Sequence, residues 1–315
     1  MPQGSVLGPV LFNIYVSNLP RFIQDQGFKS SLYADDTNAR SQFALQFQLS
    51  NICVKVPNLI EQVGKWMTSY FLKINQTKTE IILFCPPSMQ SVPTIQGIFI
   101  NDGCIRFSTS VTLLGVILDS SLTFDSHVSK LVSECWYHLK NIAKIRRYLT
   151  TEEAKKVIHA FISSKIDYCN AMLYSVKQST FDKLQRVQDE AAKLINRSCF
   201  SLSDQTFLDL HWLKIEQRVV FKFLLLVHKF FIGNAASYFS ELLLVKNSSK
   251  RLLYITFMNT AAGRRAFSYA SPRIWNRLPE DVRLQNDTTK FKTMIKTALF
   301  RNTNNIMEAV NLYRN

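Results

Sequence analysis

The chain has 315 residues, of which 47% are hydrophobic, with only 9 Gly and 9 Pro. This composition excludes a disordered tail, a collagen and a low-complexity linker. Six cysteines without a Cys-x-x-Cys pair argue against a disulfide scaffold and a zinc module. No apolar run reaches the roughly 20 residues that a membrane helix needs, and the N-terminus does not resemble a signal peptide. At about 150 residues per domain, the length predicts two domains.

The positive charge is concentrated in the C-terminal part of the chain. The formal net charge is +15, but residues 1–125 contain 8 basic and 8 acidic residues, whereas residues 126–315 contain 30 and 15. A positive surface attracts polyanions, of which a nucleic-acid backbone is the usual example. Solvated surface charge that keeps the protein soluble explains the same excess, so composition leaves both interpretations open.

Short helical and strand patterns alternate in the N-terminal part. Apolar residues at helical spacing predict a helix from Pro9 to Tyr15, which Asn18–Pro20 ends. A strong turn signal at Asn101-Asp102-Gly103 predicts a hairpin. After the first helix, the patterns predict a strand over residues 28–33, a turn-rich stretch over 34–38 and a helix over 59–71. They then predict a strand over 80–85, that hairpin over 97–107 and a further strand over 111–118.

From Phe124 onwards the apolar period becomes helical. The first helix of this part runs up to Arg146-Arg147-Tyr148. Thr151, followed by Glu152-Glu153, predicts the start of the next helix, because a hydroxyl caps it and acids favour its first turn. Three more helices are predicted over residues 181–195, 215–231 and 291–300, with a mixed, turn-containing stretch over 246–285.

Tyr33-Ala34-Asp35-Asp36 is the clearest candidate for chemistry. Mg²⁺ prefers hard oxygen ligands and takes few of them from the protein. Neighbours on a regular strand point to opposite faces, so only a turn lets both carboxylates reach one ion. Taken alone, such a pair is more commonly two solvated acids in a turn.

The motifs around this box change its interpretation. Their order resembles the reverse transcriptase of LINE-type (non-LTR) retrotransposons, most closely the jockey-like branch. The runs that carry the resemblance, besides the Asp-Asp box, are Pro2-Gln3-Gly4-Ser5, Trp66-Met67, Leu72-Lys73-Ile74-Asn75, Lys78-Thr79-Glu80 and Leu113-Leu114-Gly115-Val116. Two later runs, 263–267 and 271–279, extend it over essentially the whole chain.

The resemblance implies an α+β fold. It would comprise part of a right-hand polymerase palm, built of β-hairpins and helices, followed by a helical thumb and an α-rich C-terminal region. The implied domains are an incomplete palm over 1–119, a thumb-like region over 120–200 and a basic C-terminal region over 201–315. The implied activity is RNA-directed DNA polymerisation, with an RNA template, a DNA primer and dNTPs.

The resemblance also implies roles for single residues. Asp35 would be the direct ligand of Mg²⁺, Asp36 would support it, and Lys78 would assist the departing pyrophosphate. The residues that would border the nucleotide and template are Gln3, Gly4, Ser5 and Tyr33. Those that would grip the primer are Leu114 and Gly115.

The same resemblance implies a nucleic-acid-binding role for the basic half of the chain. A polymerase thumb lies against the primer–template duplex, and its cations touch phosphates without reading sequence. The expected contacts are Lys140, Lys144, Arg146 and Arg147, although a solvated helix face would also explain them. Arg264-Arg265, near Phe267 and Tyr269, have two open interpretations, RNA binding and a structural role.

The pattern departs from the family in two places that matter here. The fingers and first palm strand, with the other catalytic Asp, precede the Pro-Gln-Gly-Ser motif in the family, and here that motif starts at Pro2. We therefore expect an incomplete catalytic site, for which Asp25 is no obvious substitute, and no activity of this chain alone. Tyr70 also stands where the family has Asn. The alternative function is a non-enzymatic nucleic-acid-binding remnant of a retroelement.

Overall fold

The computed structural model describes residues 4–43, 48–84, 97–100, 103–174, 176–197 and 204–301. The chain divides into two compact units, Met1–Val111 and Thr112–Asn315. Helices and small two-stranded sheets occur together, which agrees with the predicted α+β class. Within the described ranges, no helix is both long and apolar enough to cross a membrane.

The described residues of the first unit form three helices, two hairpins and a short 3₁₀ turn. Pro9 lies in the first turn of its first helix and Pro20 in the first turn of its second, where a missing N–H costs nothing. Strand β1 pairs with β2, and β3 pairs with β4. The elements are α1 (Gly8–Tyr15), α2 (Leu19–Asp25), β1 (Lys29–Tyr33), β2 (Asp36–Arg40), α3 (Gln48–Ser69), the 3₁₀ turn (Gln76–Lys78), β3 (Gly97–Ile100) and β4 (Gly103–Arg106).

A small core holds the start of this unit together. Leu19 and Ile23 of α2 are fully buried against Phe28, which precedes β1, and against Leu59 and Val63 of α3. Leu32 of β1 packs on the edge of this cluster. The core therefore fixes the hairpin of β1 and β2 against two helices.

Several predictions for the first unit need correction. Helix α2 was not predicted, because Pro20 was taken to end a helix rather than to begin one. Helix α3 begins eleven residues before the predicted start at Leu59 and tolerates Pro57 in its interior. The strand predicted over 80–85 is wrong within the described residues, since Ile81 forms only an isolated bridge to Phe107; Cys85 lies outside them.

The hairpin predicted over residues 97–107 is confirmed. Ile100 pairs with Gly103, so two residues connect the strands. These two, Asn101 and Asp102, lie outside the described residues. The strand predicted over 111–118 is instead a pair of strands joined by a turn at Leu114-Gly115.

The second unit is mainly helical. Where the structure describes it, this unit contains the end of β5, a second strand, eleven α-helices and a small hairpin. The elements are β5 (Ser110–Leu113), β6 (Val116–Asp119), α4 (Asp125–Ile145), α5 (Thr151–Ile158), α6 (Ser164–Asp167), α7 (Gln178–Asn196), α8 (Asp204–Asp209), α9 (Ile215–Phe231), α10 (Phe239–Leu242), β7 (Val245–Asn247), β8 (Leu252–Leu253), α11 (Ala261–Arg265), α12 (Phe267–Trp275), α13 (Glu280–Leu284) and α14 (Thr288–Phe300).

One large hydrophobic core runs through this unit. It joins α4, α7, α9, α12 and α14, and Trp275 and Phe223 are among its largest fully buried side chains. The four helices predicted for these residues at 124–148, 181–195, 215–231 and 291–300 are confirmed. The cap of α5 is Thr150 rather than Thr151: its hydroxyl accepts from the Glu153 N–H, and the Glu153 carboxylate accepts from the Thr150 N–H.

Candidate functional site

Asp35 and Asp36 lie at the tip of the β1–β2 hairpin. Tyr33 pairs with Asp36, so only Ala34 and Asp35 form the turn. Ala34 has φ 52°, a left-handed conformation that tight two-residue hairpin turns require. Because Asp35 belongs to the turn and Asp36 begins β2, the alternation of a regular strand does not separate the two acids. Both are exposed.

A groove lies beside this hairpin. It has a volume of about 490 Å³, and α1 and α2 line one side through Pro9, Asn13 and Pro20. Tyr33 and Ala34 line the other side, whereas neither aspartate belongs to the lining. The predicted turn at the Asp-Asp box is thus present as the tip of a hairpin, whereas Tyr33 and Ala34, and neither carboxylate, line the groove beside it.

The segment before α1 carries the predicted nucleotide-binding residues. Gly4 has φ 88°, which favours glycine, and a Cβ built there would meet nothing within 4 Å. The Gly8 N–H donates to the Ser5 carbonyl at 3.3 Å and begins the turn into α1. Gln3 lies outside the described residues.

The two carboxylates match Mg²⁺ in kind but not in number. Carboxylate oxygens are the hard ligands that Mg²⁺ prefers, and two-metal phosphoryl transfer needs acids converging on ions about 3.5–4 Å apart. In the part of the chain that the structure describes, no group of three or more His, Cys, Asp or Glu side chains is placed to hold a metal ion. Asp35 and Asp36 alone therefore do not make a complete metal site.

Lys78 ends a 3₁₀ turn that Asn75 organises. The Asn75 side-chain oxygen accepts from both the N–H and the hydroxyl of Thr77, at 3.2 and 2.7 Å, and its carbonyl accepts from the Lys78 N–H at 3.1 Å. Lys78 itself is exposed. Asn75 was part of the motif but was given no role, and its position two residues before Thr77 is the usual signal of such a turn.

Tyr70, at the end of α3, joins an aromatic cluster. Its ring stacks on Trp66 with centroids 4.1 Å apart, and Tyr15 meets it edge-on at 5.7 Å. The Tyr15 hydroxyl also donates to the Tyr70 carbonyl at 2.7 Å. These contacts tie the end of α1 to the end of α3.

In the second unit, Leu114 and Gly115 form the turn between β5 and β6. Both have left-handed φ values, 47° and 80°, as a two-residue hairpin turn requires. The Tyr168 hydroxyl donates to the Leu114 carbonyl at 2.8 Å. Sequence reasoning missed Tyr168, because 54 residues separate it from the turn it holds.

The predicted phosphate-binding cations of this unit divide into two groups. Lys140, Lys144 and Arg147 are exposed on the outer face of α4 and the turn that follows it. Arg146 is only 6% exposed, and its guanidinium donates to the carbonyls of Leu194, Leu149 and Ile195 at 2.6–2.8 Å. Two of these three carbonyls, those of Leu194 and Ile195, lie at the end of α7. Because its guanidinium is buried and hydrogen-bonded there, Arg146 is not available to bind a phosphate.

The start of α4 is fixed by contacts from both ends of the unit. The Asp119 carboxylate accepts from the N–H groups of Thr123 and Phe124 at 2.9 and 2.7 Å. Burial would raise the pKa of Asp119, but these hydrogen bonds outweigh it and lower the pKa. The Arg265 guanidinium donates to the Leu122 carbonyl at 2.7 Å. Leu122 and Phe124 both have left-handed φ values, so these contacts hold a costly turn.

The C-terminal run that resembles the family has structural roles here. Trp275 is buried and donates its indole N–H to the Arg251 carbonyl. The Asn276 amide bonds both the N–H and the carbonyl of Leu253. The Arg265 guanidinium donates to the Leu122 carbonyl, and Tyr269 is buried. For Arg265 and Tyr269 the structure therefore favours a packing role over RNA binding. Arg264 remains exposed.

Comparison with known proteins relates the first part of this chain to a known family. Residues 1–118 match the family described as "Reverse transcriptase (RNA-dependent DNA polymerase)". This part of the chain, which carries the aspartate hairpin, is therefore similar to a reverse transcriptase domain. No solved structure matches the chain.

Three relatives come from Drosophila melanogaster. The probable RNA-directed DNA polymerase from transposon BS is 22% identical over 70% of this chain, and the corresponding protein from transposon X-element is 22% identical over 62%. The RNA-directed DNA polymerase from mobile element jockey is 27% identical over 42%. These similarities agree with the resemblance of its motifs to the reverse transcriptases of LINE-type (non-LTR) retrotransposons. The chain spans 25%, 21% and 14% of these three relatives, respectively.

Proposed function

We propose that the chain is the C-terminal part of a retrotransposon RNA-directed DNA polymerase, which adds dNTPs to a DNA primer on an RNA template. The observation that carries the proposal is the β1–β2 hairpin, which exposes Asp35 and Asp36 at a two-residue turn within the residues that match the reverse transcriptase family. Oxygen ligands of this kind, beside a groove that nucleic acid or nucleotide can enter, fit the chemistry of phosphoryl transfer.

In this proposal, residues 1–119 act as part of a palm, 120–200 as a thumb and 201–315 as a basic C-terminal region. The division into a unit with hairpins and a mainly helical unit supports it. The large core shared by α4, α9 and α14 indicates that the thumb and the C-terminal region fold together.

Each matched residue then has a task. Asp35 and Asp36 contribute carboxylates for Mg²⁺, which would stabilise the charge that develops on the phosphates. Lys78 faces solvent on its own turn, where a cation can approach a departing pyrophosphate. Gln3, Gly4, Ser5 and Tyr33 border the nucleotide and template, and Leu114 and Gly115 offer backbone groups to the primer.

The catalytic site is completed by a segment outside these residues. Two adjacent carboxylates bind Mg²⁺ weakly, because the ion is dehydrated only by several well-placed oxygens. Asp25 is exposed at the end of α2, whereas Asp35 lies in the hairpin turn. We infer that the missing carboxylate comes from the part of the longer relatives that this chain does not span.

Primer extension by a fusion protein tests this function. A fingers and first-palm segment from a family member, with its Asp, is fused before Pro2, and synthesis is measured on an RNA template with Mg²⁺. Asp35→Asn should abolish synthesis, since each lost contact to the reacting phosphates costs roughly 100-fold or more. Asp25→Asn, an equally exposed acid of the same unit, is the matched control and should retain activity. Equal effects of the two substitutions would refute the catalytic role of Asp35.

The second candidate is a non-enzymatic nucleic-acid-binding protein derived from a retroelement. It is favoured by the exposed cations of α4 and by the incomplete set of metal ligands among the described residues. A fused protein that binds nucleic acid but never extends a primer would support this alternative.

A further inference from the structure

Aromatic rings lie among the exposed cations on the outer face of α4. Its inner face buries Val128, Leu131, Cys135, Leu139 and Ile142 in the core, so the helix does not need outer apolar groups for packing. The outer face nevertheless carries Trp136 and Tyr137, followed at helical spacing by Lys140 and Lys144. Tyr137 is 66% exposed and Tyr148, just beyond the helix, is 70% exposed.

The exposed rings and cations from Trp136 to Tyr148 lie along one face of α4 and the turn that follows it, and are called the strip below. The Arg147 guanidinium lies 4.6 Å from the centre of the Tyr148 ring. Tyr137 meets His138 edge-on at 5.5 Å, and His138 lies 5.3 Å from Phe161. Phe161 is exposed on the π-helical turn His159–Ser163. At 1.5 Å per residue, Trp136 and Tyr148 are separated by about 18 Å along the helix axis.

The charge of the strip is complementary to a polyanion. Between positions 126 and 151 the only acidic residue is Glu134. Its carboxylate pairs with Lys165 from a neighbouring helix at 2.6 Å, and this pair lowers the pKa of Glu134. The cations at Lys140, Lys144 and Arg147 therefore face solvent together with the rings.

We propose that this strip binds single-stranded nucleic acid, with phosphates on the cations and unpaired bases stacked on the rings. The proposal rests on the nucleic-acid-binding function proposed above and specifies the form of the ligand. A duplex keeps its bases stacked internally and offers phosphates, for which cations suffice, whereas exposed rings stack the bases of a single strand. Both RNA and DNA have such bases.

Binding of labelled oligonucleotides to the 315-residue chain tests the proposal. The ligands are a single-stranded RNA, a single-stranded DNA, an abasic phosphodiester strand and an RNA–DNA hybrid, all of equal length. One stacked base contributes about 5- to 150-fold in affinity. The double change Tyr137→Ala and Tyr148→Ala should therefore weaken single-strand binding by about 10-fold or more. It should leave binding of the abasic strand and the hybrid nearly unchanged.

Two sets of controls accompany this variant. Tyr137→Phe and Tyr148→Phe keep the rings and should retain affinity, and both positions are exposed enough for the fold to tolerate them. Tyr238→Ala with Tyr254→Ala removes two comparably exposed rings elsewhere in the unit and should have no effect. A selective loss on RNA, on DNA or on both supports the proposal and identifies the strand.

Other outcomes would overturn it. An unchanged single-strand affinity, or an equal loss on the hybrid, would show that the rings do not stack bases while the proposed polymerase role stands. Failure to bind any nucleic acid at low salt would instead contradict both this proposal and the nucleic-acid role of the second unit.

Discussion

At the scale of single residues, His228 of α9 is a buried base whose protonation conflicts with the fold. Its side chain is fully buried and stacks on Phe291 of α14 with centroids 4.1 Å apart. Burial, together with the positive charge of Arg251, lowers the pKa of His228 to about 4, while Asp287 opposes the shift. Its Nδ1 has no hydrogen-bond partner among the described residues, so none of them would accept a hydrogen bond from Nδ1 if the imidazole were protonated.

The pH dependence of stability follows from this shift. Because the folded pKa lies below the usual 6.5, the contribution of neutral His228 is fully present above that pH and is lost as the pH falls towards 4. The loss should approach about 3 kcal/mol in free energy of unfolding. Urea unfolding between neutral pH and the folded pKa measures it. His228→Phe should flatten the curve, and exposed His211→Asn should not; a steep curve in both variants would mean that another group is responsible.

Arg146 and Arg147 form a natural pair for comparison. Arg146 bonds three carbonyls, two of them at the end of α7, whereas Arg147 is exposed. Arg146→Ala should lower the free energy of unfolding by roughly 2–4 kcal/mol, because it leaves buried carbonyls unsatisfied. Arg147→Ala should change it by about 0.5 kcal/mol or less. Thermal or urea unfolding of both variants measures these changes. Equal losses in the free energy of unfolding would contradict the structural role of Arg146.

At the scale of elements, α4 should dominate the salt dependence of nucleic-acid binding. Each phosphate contact contributes a slope of about −0.9 to log affinity against log salt on a B-form duplex. Reversing Lys140, Lys144 and Arg147 to Glu should therefore flatten the slope. The matched control reverses three exposed lysines of α14, Lys290, Lys292 and Lys296, and should change it less. An equal effect of the two triple variants would mean that binding is spread over the whole basic half.

The elements also indicate how far the sequence can be interpreted. Long amphipathic helices such as α7 and α9 followed from their apolar period, and the turn at the Asp-Asp box followed from its turn residues, whereas strand β2 was not predicted. The β5–β6 hairpin was predicted as one strand, because Leu114 gives no signal for a left-handed turn and only Gly115 does. The role of Arg146 depends on carbonyls about fifty positions away, which no local pattern reveals.

At the scale of the whole molecule, the motif order predicts a retrotransposon reverse transcriptase, and the comparisons support this prediction. The roles of the site residues remain predictions, because each role depends on a bound substrate and on a further carboxylate besides those of Asp35 and Asp36. The basic excess of residues 126–315 was visible in the composition, but its arrangement was not. Only the fold separates exposed Lys144 from buried Arg146.

Primer extension by the unfused 315-residue chain, beside the fused protein, tests the central claim most directly. We predict no synthesis by the unfused chain on an RNA template with Mg²⁺, because two adjacent carboxylates hold the ion too weakly to keep the reacting phosphates in line. Losing such interactions together removes several kcal/mol of transition-state stabilisation. The fused protein should extend the primer and lose this activity with Asp35→Asn. Robust synthesis by the unfused chain, abolished by Asp35→Asn, would contradict the claim that its catalytic site needs a further segment.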